Sequence, residues 1–168
     1  MDTRVLAERL QRLEDAEAIR SLKSRYFTSC DAKNPAAMRA CFADGPVAID
    51  FGMIGRFDNA DALVAVYTQM ACHPHMVERH HGSNPQIEVI DATRARGTWS
   101  LAYELIDTQN QKLTQLAGHY EDEYRRTADG WRMSATKFVA TSTLSFDLAE
   151  GLTKVLFAGN PAMAGVAT

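Results

Sequence analysis

The chain has 168 residues, of which 46% are hydrophobic and 23% charged, with a formal net charge of −3. A pI near 5.9 gives no electrostatic case for nucleic acid or an anionic membrane as a partner. Three cysteines (Cys30, Cys41, Cys72) with no CxxC do not make a disulfide framework or a cysteine zinc site, and read as buried thiols in a reducing cytosol.

The N-terminus, MDTRVLAERLQRLED, lacks the apolar core of a signal peptide. No apolar run reaches the ~20 residues of a membrane span, so a cytoplasmic location is expected. Residues 4 to 31 read as one helix. Leu6, Leu10 and Leu13 begin an apolar stripe that Ile19, Leu22, Tyr26 and Cys30 continue at helical spacing. Asp31 closes it, and Asn34-Pro35 starts a short second helix through Met38, Cys41 and Phe42. Residues 43 to 46 form a turn, 47 to 51 a short strand, and 52 to 55 a hairpin or bend. Asn59 or Asp61 caps a third helix through Leu63, Val66, Tyr67 and Met70, which His73-Pro74 stops.

The second half is extended. Strands are predicted over 77 to 90, 94 to 106, 112 to 126 and 131 to 144, with turns at 91 to 93, 108 to 111 and Ala128-Asp129-Gly130. Long, sequentially adjacent strands imply an antiparallel meander. Helices first and strands after imply an α+β fold, with a curved sheet over the helices and a conical cavity between them. Residues 146 to 158 read as a helix or arm, and 159 to 168 as a tail that is frayed or docked on a partner subunit. No repeat, linker or second domain interrupts residues 1 to 168.

Asp31 at a helix end and the tandem pair His80-His81 at a strand start are the residues with chemistry in them. A carboxylate beside an imidazole orients the ring, fixes its tautomer and makes it a usable base near neutral pH. Tyr26 and Asp31 lie about 140° apart on an ideal helix, so they would flank a cavity.

Three segments carry a family resemblance: AIRSLKSRYFTSCD (18 to 31), HHGSNPQIEVID (80 to 91) and GHYEDEYRRTADGWRM (118 to 133). In this order they resemble the SnoaL-like branch of the nuclear transport factor 2-like superfamily, over roughly residues 10 to 145. The resemblance implies a cone-shaped, cystatin-like α+β barrel. Relatives include scytalone dehydratase, bile-acid 7α-dehydratase, hexachlorocyclohexane dehydrochlorinase, polyketide cyclases and ketosteroid isomerase. One fold with many functions means the reaction must be argued from the site.

By that resemblance Asp31 and His80 match an Asp–His catalytic pair. His80 is preferred to His81 because HxGxN aligns best from its first histidine. Tyr26 matches a position where relatives polarise the substrate. Where the dehydrochlorinase places an Arg, this chain has Thr136 beside Lys137, which argues against dehydrochlorination. The implied activity is a cofactor-independent lyase or isomerase, dehydratase-like, with no metal required. His80 would be the base and Asp31 its orienting partner, with Tyr26, or Tyr120 or Tyr67, donating to a carbonyl oxygen. The substrate expected is small, hydrophobic and cyclic. A long sheet face and a C-terminal arm suggest a homodimer or homotrimer.

Blander readings stand beside these. Asp31 could cap the second helix, His80 could be a core histidine, and Tyr26 could simply pack. Substrate contacts are expected from His81, Tyr67, Tyr120, His119, Asp50 and Lys137, although His81, on the opposite strand face, more simply meets solvent. His119 could line the cavity or face water. Asp50 and Glu104 could be second acids or solvated strand residues. His73 and His75 read as a surface loop, Trp99 and Trp131 as core, and the Glu121 to Arg126 run as an exposed, ion-paired strand face. The alternative functions are a non-catalytic ligand-binding domain or an oligomerisation module.

Overall fold

A computed structural model of the protein describes residues 2–149. Helix α1 (Thr3–Asp31) starts where the Asp2 side chain accepts from the Arg4 N–H. Its buried face runs through Asp15, Ile19, Leu22, Lys23, Tyr26, Phe27 and Cys30. The first part of the predicted stripe is different: Leu6, Leu10 and Leu13 are 50, 54 and 69% exposed. The reason is where the sheet ends. Asp15 is tied to Trp131 and Arg126 beside the last hairpin, and the helix runs on past that anchor.

Helix α2 (Pro35–Arg39) has proline in its first turn and Asn34 as cap, accepting from Ala37 N. It stops before Cys41 and Phe42, which the sequence placed in it. The Cys41 carbonyl instead accepts from the Met133 N–H, and Ala43 N–H donates to the Met133 carbonyl. This backbone exchange with the sheet outcompetes another helical turn.

Strand β1 (Ala48–Asp50) is followed by a 3-10 turn (Gly52–Ile54) and strand β2 (Arg56–Phe57). Helix α3 (Ala60–Ala71) is capped by Asn59, whose side chain accepts from Ala62 N. Four long strands follow: β3 (Met76–Val89), β4 (Arg94–Asp107), β5 (Lys112–Thr127) and β6 (Gly130–Asp147). The sheet order is β2-β1-β6-β5-β4-β3. The expected meander forms from β3 to β6, all antiparallel. The sheet as a whole is mixed, which the sequence reading left open beside an all-antiparallel one, because β1 pairs parallel with β6, Ala48 opposite Ala135. β6 runs past the predicted 144 to Asp147; the rest of the arm and tail expected over 146 to 168 lies outside the described residues from 150 on. Among the described residues, no helix is long and apolar enough to cross a membrane.

Helix α1 packs against both β3 and β6, which two strands separate in the sheet. The helix thus crosses the sheet, its Asp15 region on β6 and its C-terminal end on β3. Alternation then fixes the inner face: Trp99 and Leu101 from β4, Tyr120 and Tyr124 from β5, Trp131 and Met133 from β6, all at or below 5% exposure. α3 closes the wide end, with Leu63 in the same core.

Two anchors set where α1 lies. Gly82 on β3 faces the Phe27 ring so closely that an added Cβ would sit 2.2 Å from a ring carbon. Gly82→Ala is expected to destabilise by about 1–3 kcal/mol through overpacking, read as a lower urea midpoint. At the other end, the Asp15 carboxylate is buried, which raises its pKa, yet hydrogen bonds from Arg126, Trp131 and Gln11 win and hold it below its ordinary 3.8. A carboxylate depressed on folding adds stability that is complete above the unfolded value and lost as pH falls through the folded one. Asp15→Asn should therefore cost about 1–3 kcal/mol at pH 6, and the gap to wild type should close as urea melts are taken below about pH 3.8.

Candidate functional site

The last residue of α1 carries a carboxylate where the helix dipole is negative, an unfavourable place for it. Strand β3 offsets that cost. The His80 backbone N–H donates to both Asp31 oxygens at 3.1 and 3.2 Å, and His80 Nδ1 lies 2.6 Å from Asp31 Oδ1. An ionised Asp31 accepts, so Nδ1 carries the hydrogen and Nε2 is the basic nitrogen. Nε2 has no partner among the described residues. The ring is fixed on two further sides. Phe27 stacks on it with centroids 5.8 Å apart, and Tyr103 meets it edge-on at 4.7 Å.

His80 lines a cavity of about 290 Å³ between α1, α3, the 3-10 turn and the inner face of the sheet. Its walls are mostly apolar, with Leu63, Leu101, Leu105, Leu116 and Phe138 among them. Tyr26, Tyr67 and Tyr120 also line it, as the sequence reading expected. Their roles differ. The Tyr67 hydroxyl is committed, donating to the Cys30 carbonyl at 2.6 Å. The Tyr26 and Tyr120 rings share the Lys23 ammonium, 5.1 and 3.6 Å from their centroids. Burial drives the pKa of all three hydroxyls upward, so each keeps its proton.

Two cavity residues went unnoticed in the sequence. Glu78 and Tyr103 both line the cavity beside His80. Glu78 stands two residues before His80 and so shares its strand face; Tyr103 is directly opposite His80 in register. The i, i+2 spacing was the available signal for Glu78.

The remaining predicted residues lie elsewhere. His81 is exposed on the other strand face. His119 is half-exposed and points toward Glu121, 3.5 Å away, on the outer side. Lys137 is paired with Glu121 there at 3.0 Å. Asp50 accepts from Arg56 and from Gly52 N. Glu104 accepts from Gln115 across the strands. None of these five lines the cavity. A larger, open trough of about 1420 Å³ runs along the outer face, past Asp50 and Lys137. It carries ion pairs such as Arg96–Glu88 and Lys137–Glu121, and it lacks an oriented histidine base.

Beneath the cavity is a buried ion pair. Lys23 Nζ lies 2.8 Å from Asp122, with both side chains fully buried, close as an ion pair but not aligned as a hydrogen bond. Asp122 also accepts from Thr136 and Tyr124, and Tyr124 accepts from Trp99. Burial pulls the Lys23 ammonium below its ordinary 10.5, opposed by Asp122. The ammonium sits 3.6 Å from the Tyr120 ring centroid.

Among the described residues no group of three or more His, Cys, Asp or Glu could hold a metal ion.

Residues 11–137 match the SnoaL-like domain family. The chain belongs to that family. Solved structures agree on the fold. A scytalone dehydratase candidate from Novosphingobium aromaticivorans superposes with a TM-score of 0.71 at 19% identity, over 93% of this chain and 97% of that one. A hexachlorocyclohexane dehydrochlorinase (LinA type 3) from Novosphingobium barchaimii gives 0.73 at 18%, over 87% and 97%. An NTF2-like protein with a cystatin-like fold from N. aromaticivorans gives 0.71 at 18%, over 84% and 91%. The cystatin-like α+β architecture expected from the sequence is therefore the observed one.

Removing one member of a buried pair strands the other. Lys23→Met should cost about 3–5 kcal/mol, and Lys23→Met/Asp122→Leu should recover part of it, both read by urea unfolding. A single variant as stable as wild type would show that the pair does not hold the cavity floor.

Proposed function

We propose that this protein is a cofactor-independent lyase acting on a small, neutral, cyclic β-hydroxy ketone. The observation that supports this most directly is the 2.6 Å contact of Asp31 with His80 Nδ1, which leaves Nε2 on an apolar cavity. His80 Nε2 takes a proton from the carbon next to the ketone. Asp31 holds the ring and stabilises the imidazolium that forms. Charge develops on the ketone oxygen, where Tyr120, in the cavity wall with the Lys23 cation against its ring, can donate. The carbon–oxygen bond to the hydroxyl then breaks, the imidazolium returns its proton, and water leaves. No net proton is gained or lost.

The substrate size follows from the space. About 290 Å³ is at the low end of the ~300–1,000 Å³ typical of small-molecule sites, which suits one or two rings. The likeness to a scytalone dehydratase candidate and to a dehydrochlorinase supports elimination as the reaction class. Loss of water is favoured over loss of halide, since Lys137 faces away from the cavity and is paired with Glu121.

The test is the dehydration of 3-hydroxy-1-tetralone to 1-naphthol, followed by naphthol fluorescence. Wild type is expected to exceed the buffer rate, with His80→Ala and Asp31→Asn each slower by about 10²–10⁴-fold at unchanged circular dichroism. A wild-type rate equal to that of His80→Ala would sink the reading.

A further inference from the structure

Glu78 is a carboxylate in the wall of an otherwise apolar cavity, and the dyad chemistry does not use it. Its side chain is 8% exposed. One oxygen accepts from the Tyr103 hydroxyl at 2.8 Å, and the other is held by the Lys33 ammonium. Lys33 reaches it from the corner after α1, where its backbone is in the left-handed region with φ 55°. Burying a carboxylate beside leucines is costly unless it is paired, and here a tyrosine and a lysine supply the partners.

The consequence is a negative face beside His80. Asp31 and Glu78 together bring two carboxylates, and Lys33 brings one ammonium. The neighbours register that field. Burial, then Glu78 and then Asp31 push up the Tyr103 hydroxyl and, in the same order, the Cys30 thiol. Tyr103 spends its proton on Glu78, so what it and Glu78 can offer a ligand is acceptor lone pairs. The other flank is opposite in sign. Past the Phe27 ring come Tyr26 and Tyr120, with the Lys23 ammonium against their faces at 5.1 and 3.6 Å. The cavity is therefore polarised, with acceptors and negative charge on the Glu78 flank and donors over a cation on the Tyr120 flank.

We propose that Glu78, positioned by Tyr103 and Lys33, is the specificity-determining residue: it selects a neutral ligand that places a hydroxyl donor beside it, and it excludes carboxylates and other anions. The inference rests on the dyad cavity as the ligand site and names its ligand class. It does not depend on turnover. Glu78 does not exchange a proton with the ligand; it accepts a hydrogen bond and repels like charge in a setting where few waters screen it.

The probes are three bicyclic ligands of one shape: 2-naphthol, which donates; 2-methoxynaphthalene, which cannot; and 2-naphthoate, which is anionic. Dissociation constants come from isothermal titration calorimetry at pH 7. Wild type should bind 2-naphthol at least 10-fold tighter than either of the others. Glu78→Gln keeps an acceptor for Tyr103 but removes the charge, so 2-naphthoate should tighten by 10-fold or more while 2-naphthol changes several-fold at most. Lys33→Met lies at the surface corner and removes the compensating cation, so 2-naphthoate should weaken further. Equal binding of naphthol and naphthoate by wild type overturns the proposal, and so does a naphthoate affinity that neither substitution moves. Failure of the dehydration assay with this ligand order intact would sink the lyase reading alone. Dehydration with no ligand preference would sink this one alone.

Discussion

The Asp31 carboxylate joins the two halves of this fold. It closes the long helix and accepts both the backbone N–H and the ring N–H of His80, on the edge strand of the sheet. An edge strand leaves N–H groups without sheet partners, and here one is answered by a side chain from a different layer. Lys33 and Glu78 repeat the stitch one turn of strand away. The approach of helix to sheet is thus fixed by polar contacts at the cavity and by Phe27 against Gly82 just beside it. The same contacts that dock α1 hold the imidazole in one orientation. Packing and chemistry share a joint.

That joint explains how the cavity tolerates so many polar groups. Apolar walls surround them, yet many are paired: Tyr67 with Cys30, Tyr103 and Lys33 with Glu78, Asp122 with two hydroxyl donors and the Lys23 ion pair. His80 Nε2, on the cavity wall, has no partner among the described residues.

Much of this could be read from the residues. Asn34-Pro35 marks the end of α1 so sharply that Asp31 falls at its last turn, and the length of β3 to β6 gave the meander. What escaped has physical causes. Period-2 alternation says that His80 and His81 face opposite ways, as do His119 and Tyr120, but not which way is in; only the register with β4 decides. Glu78 and Tyr103 were hidden for the same reason, one being charged and the other half-polar on a strand otherwise free to face water. The parallel β1–β6 pair rests on three residues, too few for any pattern. The leucines of the first helical turns have the periodicity of a core stripe, and periodicity carries no information on where the sheet beneath them stops.

The cavity's rim is built differently from its floor. His80, Tyr103 and Glu78 stand on long paired strands, whereas Ile54 and Met70, each more than half exposed, come from a single 3-10 turn and the last turn of α3. Substitution at those two positions alters the width and shape of the opening while the strands below keep the imidazole in place. Ligand fit on this scaffold can therefore be retuned at the mouth while His80 and its partners stay where the strands hold them.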